Sequence, residues 1–412
     1  MLPSRTLALT VLSILLSAVF DAQAQDQAFE NAFARYKSGD LDQAETILTA
    51  AIKVKPAALD YSLLGTIEFQ RGNLAGAKRD LGKALTLEPG LPGARATLGA
   101  VLLAEGDRAG GRSVFETLLT KDPNNLEALL ALGDLDTDDR QYENAARLLE
   151  EARALAPRDV RVFLGLARVK NIRGDAEGAL ALLLEAKKLE ADNFDVHYDL
   201  GVVCLEMDLF KDAASALEQA VGLRRDDVRA RYALAAARIA AGNFPAAIAI
   251  YQTLLKEYPR DAQFHYALGA AYYLSGQLEA AKACFKKSIE LMPHQVESLY
   301  YLAEIAGQEG DREQETDLLR TVVRRSPAHV RAHIALGMQY RQAGRFLDAV
   351  REFQTAIELD PQSQKAHYQL GLALAYLKKQ DEAQKELQIA SKLRKINDDR
   401  VVWELASPEG GR

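Results

Sequence analysis

The sequence predicts an all-α solenoid of stacked helix-turn-helix repeats, on three observations. First, Leu64, Leu98, Leu132, Leu166, Leu200, Leu234, Leu268, Leu302, Leu336 and Leu370 recur every 34 residues, and Gly or Ala follows each one. Ten identical residues on one invariant period mark stacked supersecondary units. Second, twelve places after that Gly or Ala a small residue recurs, as at Ala77, Gly111, Ala145 and Ala179, so two helices must approach closely there. Four residues further on stands a large apolar side chain, among them Leu81, Phe115, Leu149, Tyr251, Phe285 and Leu387, at the spacing of a core-facing helical stripe. Third, Gly39, Gly72, Gly106, Gly174, Gly242, Gly276, Gly310 and Gly344 sit where the first helix of a repeat, helix A, must end. Prolines such as Pro56, Pro89, Pro123 and Pro157 stand where helix B must end.

The chain opens with the three-part plan of a secretory signal peptide. Arg5 lies in a short polar stretch, an apolar run covers Leu7 to Phe20, and Asp21-Ala22-Gln23-Ala24 follows. The run is shorter than the roughly 20 residues a spanning helix needs, so residues 1–24 are expected to be removed, with no permanent membrane anchor. Cleavage after Ala24 places small residues at both positions that the peptidase reads. Arg5 and Asp21 cancel, so the formal net charge of −7 belongs equally to the mature chain. That balance opposes nonspecific nucleic-acid binding, which rests on neutralising phosphates. Only Cys204 and Cys284 are present, on helix A of repeat six and helix B of repeat eight, and they are expected to stay unpaired.

Repeat eight displays the pattern best, with Leu268-Gly269, Tyr272, Gly276, Ala281, Phe285 and Pro293. In these residues the chain resembles the tetratricopeptide-repeat (TPR) family, over about Gln25 to Lys395. The resemblance implies a right-handed superhelical α-solenoid of eleven repeats across 25–397. Repeat one covers 25–57, and the others begin at 58, 92, 126, 160, 194, 228, 262, 296, 330 and 364. Departures occur in repeat one (Asn31-Ala32 for Leu-Gly), repeat nine (Glu315 at the small position) and repeat eleven (Lys395 for proline). Beyond the repeats, Asp398-Asp399-Arg400-Val401-Val402-Trp403-Glu404-Leu405 reads as a short capping helix over 398–406, and 407–412 as a disordered tail.

No nucleophile, general-base or phosphate-loop constellation stands outside the repeat scaffold, so no enzyme activity, cofactor or metal is expected. His197, His265, His333 and His367 share one repeat position, three before the leucine, and fit a half-buried packing role better than metal binding. Asp134, Asp136, Asp138 and Asp139 form an acidic cluster whose spacing fails as a calcium loop, leaving a solvated acidic face or a docking spot for a basic partner. Tyr198, Tyr232, Tyr266, Tyr300 and Tyr368 also fall on the period. The resemblance places them on the inner concave surface, where five phenols would line a groove, though tyrosine there also packs against the adjacent repeat. The next groove position carries Thr66, Ala100, Asp134, Arg168, Val202, Ala236, Ala270, Glu304, Met338 and Leu372 in place of the asparagine of chaperone-docking relatives. A heat-shock-protein adaptor is not expected.

The reading is therefore an exported interaction scaffold, in the periplasm or outside a Gram-negative cell. Its groove, with the five tyrosines, Arg168 and Asp134, would bind an extended peptide or protein partner. The rival is an assembly subunit of an envelope secretion machine for polysaccharide or pilus export, which would sit in a membrane-associated complex.

Overall fold

The computed structural model describes residues 27–393, so the signal segment, the capping helix and the tail lie outside the described residues. Among the described residues there are 22 α-helices and no strand. They form eleven pairs, odd-numbered helices being helix A and even-numbered ones helix B. The first five pairs are α1 (Gln27–Lys37) and α2 (Leu41–Val54), α3 (Ala58–Gln70) and α4 (Leu74–Leu87), α5 (Pro92–Ala104) and α6 (Arg108–Lys121), α7 (Leu126–Asp138) and α8 (Tyr142–Leu155), and α9 (Val160–Ile172) and α10 (Ala176–Leu189). Then follow α11 (Phe194–Glu206) and α12 (Phe210–Leu223), α13 (Val228–Ala240) and α14 (Phe244–Glu257), and α15 (Ala262–Leu274) and α16 (Leu278–Leu291). The last are α17 (Val296–Glu309) and α18 (Arg312–Arg325), α19 (Val330–Gln342) and α20 (Phe346–Leu359), and α21 (Gln364–Tyr376) and α22 (Gln380–Leu393). The chain divides into two compact units, the boundary falling inside α11 between Asp199 and Leu200.

The turn between helices A and B is written in two adjacent residues. Eight glycines, Gly39, Gly72, Gly106, Gly174, Gly242, Gly276, Gly310 and Gly344, hold φ between +74° and +87°, the left-handed region that closes a helix. Where the glycine is missing, Arg140, Asp208 and Lys378 take the same conformation at φ near +60°. The next residue often caps helix B: Asp40, Asn73, Asp107, Asp175, Asn243 and Asp311 each accept a backbone N–H three residues on. Helix B behaves differently from the expectation at its far end. It stops at Leu189 and Leu223, two residues before Ala191 and Arg225, at the same point as in the repeats that carry proline. Proline marks that end without being needed to make it, because the chain must turn there to start the next helix A.

Within a repeat the Leu-Gly position is a point of contact. A Cβ on Gly65 would come 2.7 Å from Leu81, on Gly133 2.8 Å from Leu149, and on Gly337 2.6 Å from Phe353, so the large residue of helix B seats directly on the backbone of helix A. Repeats three and nine show a size exchange on the opposite side. In repeat three Gly111 faces Leu103, whereas in repeat nine Glu315 fills the small position and Gly307 makes room for it. Glu315 is buried, paired with Arg312 at 2.8 Å and accepting from Gln339 at 2.7 Å.

In the first unit the core runs from Phe29, Ala32, Leu48, Leu63 and Ile67 on to Phe69, Leu81, Leu91 and Val101. Consecutive A helices also pack on one another there, α1 on α3, α3 on α5 and α7 on α9. The second unit has aromatic cores around Tyr232, Tyr251 and Phe264, around Tyr266, Phe285 and Tyr301, and around Phe353, and in it α19 packs on α21. Neighbouring A helices thus crowd together more than neighbouring B helices, so the A helices form the inner wall of each stack. Cys204 and Cys284, both in the second unit, are unpaired thiols, and burial pushes the Cys284 thiol up to about 11.

Candidate binding face

The inner wall is built from the exposed edge of each helix A, and the tyrosine position tests how much of it is open. That position is mostly closed. Tyr232 is 7%, Tyr266 2% and Tyr300 7% exposed, and Ser62, Ala96, Leu130 and Ile334 at the same repeat position are buried too. An open ladder of five phenols is therefore not formed. Tyr266 is held by its neighbour: its ring lies 6.3 Å from that of Tyr301 in the following repeat and 6.1 Å from Phe285 in its own. Tyr232 packs on Tyr251 at 5.4 Å and Phe264 at 5.8 Å. Two members of the series remain accessible, Tyr198, half-buried and stacked on Phe194, and Tyr368, 45% exposed.

The acidic cluster at the end of α7 is also not a free acidic face. Asp136 is fully buried, paired with Arg112 at 2.7 Å, and it accepts from Asn144. Asp139 holds Arg108 and Arg112, each at 2.9 Å, and Asp138 holds Arg108 at 3.2 Å and Arg168 at 2.6 Å. Guanidiniums from α6 of repeat three and α9 of repeat five thus neutralise three carboxylates at the seam between repeats. The carboxylate of the fourth, Asp134, has no hydrogen bond or ion pair among the described residues. Solvent reaches it, yet protein crowds round it on the inner wall, and this desolvation, only partly offset by Arg168, pushes its pKa up to about 6. The structure thus brings Asp134 and Arg168 near one another on repeats four and five.

The histidines stitch successive repeats. Nε2 of His197, His265, His333 and His367 lies 2.7 to 3.2 Å from the carbonyl oxygen six residues upstream, in the turn that ends the previous helix B. His333 and His367 also place Nδ1 at 2.7 and 2.6 Å from Glu352 and Glu386 of helix B. His329 caps α19 through Nδ1 and lies 3.0 Å from Glu297.

Sequence reading missed a further inter-repeat series. Glu127 in repeat four binds Arg161 in repeat five at 3.0 Å, and Glu297 in repeat nine binds Arg331 in repeat ten at 2.7 Å. Arg331 also donates to the Tyr301 hydroxyl at 2.9 Å and lies over the Tyr300 ring. Burial alone would raise the Glu297 carboxyl, but His329 and Arg331 hold it below the usual carboxylate range. The signal was present: opposite charges 34 residues apart, at one position of successive repeats.

Stacked helix pairs with a shared inner wall, stitched from repeat to repeat by side chains, define a helical-repeat scaffold, a class typical of protein–protein interaction. The chain belongs to the tetratricopeptide-repeat family. Models described as tetratricopeptide repeat match residues 29–92, 68–133, 137–196, 205–272 and 262–295, and one described as TPR repeat matches 337–380. Among solved structures, yeast Tom70 is 15% identical, with 90% of this chain and 92% of that one covered and a TM-score of 0.51. The APC/C hetero-tetramer Cut9-Hcn1 is 16% identical, covering 97% and 84% at TM-score 0.48. YrrB, described as a TPR protein with an unusual peptide-binding site, is 20% identical, covering 45% and 96% at TM-score 0.40. At 15% identity the likeness to Tom70 is one of fold. A search of curated proteins finds no match.

Proposed function

We propose that this chain is exported and serves, without catalysis of its own, as a scaffold that holds an extended peptide or protein partner along the inner wall of its repeats. The observation that carries the reading is Asp134: an exposed carboxylate with no side-chain hydrogen bond or ion pair among the described residues, on the wall of repeats four and five near Arg168. Arg168 compensates that charge only in part, and a cationic group of a bound segment would supply a direct partner. Export is supported by the apolar run Leu7 to Phe20 and the small residues Ala22 and Ala24, and places the scaffold in the periplasm or outside a Gram-negative cell.

The test is photo-crosslinking in intact cells, with the reactive residue placed at Asp134 or Arg168 on the inner wall, or at Leu184 on the exposed side of α10. One partner band should arise from both inner positions and not from Leu184. Adducts from Leu184 alone, or a chain recovered in the cytoplasm with Met1 intact, would overturn the reading.

A further inference from the structure

The edge along which each helix A turns into its helix B changes character at the junction of repeats ten and eleven. At earlier junctions the first turn of helix B meets the end of the next helix A through ion pairs: Arg108 with Asp138 at 3.2 Å, Glu143 with Arg173 at 3.7 Å, and Asp42 with Arg71. Counted from the leucine of each repeat, the positions of Arg108 and Asp138 hold Phe346 and Tyr376 in repeats ten and eleven. The positions of Glu143 and Arg173 hold Leu347 and Leu377. Both charged pairs have become apolar pairs.

Phe346 and Tyr376 stack with their ring centroids 4.8 Å apart and their planes 9° from parallel. Nothing among the described residues covers the stack: Leu347 is 64% and Tyr376 63% exposed, and of the large apolar side chains only Val54 is more open. Joining repeat to repeat does not require apolar residues there, since repeats three to five join through ion pairs at the same positions. A patch of large apolar side chains left in water is the mark of a surface that another molecule covers.

Arg341 gives this patch its charge. It stands at the position of Tyr273, whose hydroxyl accepts from Gln308, the counterpart of Tyr376. Every other repeat has an uncharged residue at that position, and Phe69, Thr137, Leu205 and Ile239 are buried there. Arg341 is half-buried, its Nε is closed off from solvent, and its side chain makes no hydrogen bond, ion pair or ring contact among the described residues. Neither α19 nor α21 contains an acidic residue that could reach it. A guanidinium partly stripped of water and left without an acceptor is unfavourable, and a carboxylate from outside the chain would satisfy it.

We propose that this edge of repeats ten and eleven is a docking surface of its own, involving neither Asp134 nor Arg168, for a protein segment that carries a carboxylate beside large apolar side chains. The apolar side chains of that segment cover Leu347 and the Phe346–Tyr376 stack, and its carboxylate accepts from Arg341. The chemistry is the reverse of that at Asp134, which calls for a cation.

The probe is a display library of random short peptides, selected on the full chain and counter-selected on Leu347→Asp. That variant places at an exposed site the residue type that repeat one has in Asp42, so the fold should be kept, as circular dichroism would verify. Recovered peptides should combine Asp or Glu with Leu, Ile or Phe. A synthetic copy should lose about tenfold or more in affinity to Leu347→Asp and to Arg341→Gln, and as much on wild type when its own acidic residue is replaced by the amide. Leu184→Asp, the same change at another exposed leucine, should leave binding unaltered. Peptides without an acidic residue, or with an affinity indifferent to both Arg341→Gln and the amide exchange, would overturn the carboxylate assignment. A library yielding nothing that depends on Leu347 would overturn the surface itself, and dimers of the chain that Leu347→Asp dissociates would assign the patch to a second copy instead.

Discussion

Replacing Tyr232 separates a packing role from a binding one more cleanly than any other change. Its ring is 7% exposed, edge-on to Tyr251 at 5.4 Å and tilted against Phe264 at 5.8 Å, in a core shared with Ala235, Leu254 and Leu268. Tyr232→Ala removes the ring from a site whose backbone is fixed by helices on both sides, so the cavity cannot collapse. The expected cost is about 3 to 5 kcal/mol. Tyr232→Phe should behave differently. Neither the Tyr232 nor the Tyr251 hydroxyl has a hydrogen-bond partner among the described residues, and burial raises both phenols well above their ordinary value. Removing an unpaired buried hydroxyl should leave stability within about 1 kcal/mol of wild type, on the stabilising side. Urea titration followed by far-UV circular dichroism reads both changes as midpoint shifts at constant slope. A thermal melt should fall by about 2 to 4 °C per kcal/mol for a unit of this size. An alanine variant costing under about 1 kcal/mol would mean that the ring faces an open groove. A phenylalanine variant losing more than that would mean the hydroxyl has a partner.

Two pH effects follow from the same geometry. The Asp134 carboxyl should titrate near pH 6 in a carbon-detected NMR titration, and because its folded value lies above the unfolded one, protonation through that range should stabilise the chain; a midpoint near 4 would refute the crowding assigned to the inner wall. His333 meets two acceptors, Pro327 carbonyl at Nε2 and Glu352 at Nδ1, and only the imidazolium has a proton for each. Burial, the largest single effect, acts to lower its pKa, but the hydrogen bonds to Glu352 and the Pro327 carbonyl together with the Glu352 charge outweigh it, so the folded value is raised. This contribution is full below the unfolded pKa of about 6.5 and is lost as pH rises through the folded value. The urea midpoint of wild type should therefore fall relative to Glu352→Gln as pH climbs from about 6 to 8, and parallel profiles for the two proteins would refute the pairing.

How much was legible differs sharply between the turns and the face. The eight glycines that the period singled out are, among the described residues, the eight with left-handed backbone, and Arg140, Asp208 and Lys378 adopt it without glycine because the neighbouring helices already dictate the turn. The small residues at the Leu-Gly position were legible for a similar reason, since Leu81 or Phe353 must rest on that backbone within the same repeat. Burial of the tyrosines was not, because the residue that covers Tyr266 is Tyr301, in the next repeat and on a different helix. The fate of the acidic run was hidden likewise. Asp136, Asp138 and Asp139 read as a solvated face along the chain, and are neutralised by Arg108, Arg112 and Arg168 of the repeats on either side.

By itself the sequence determined what a single repeat must do: form two helices, turn at a fixed residue, and press one large side chain onto a small one. Those choices are local, enforced within about 34 residues by backbone sterics and helical periodicity. Only the tertiary structure decided which side chains on the inner wall stay open and which charges are left unpaired. Both depend on what the adjacent repeat places opposite, and a one-dimensional period cannot report the distance between two side chains that belong to different turns of the stack.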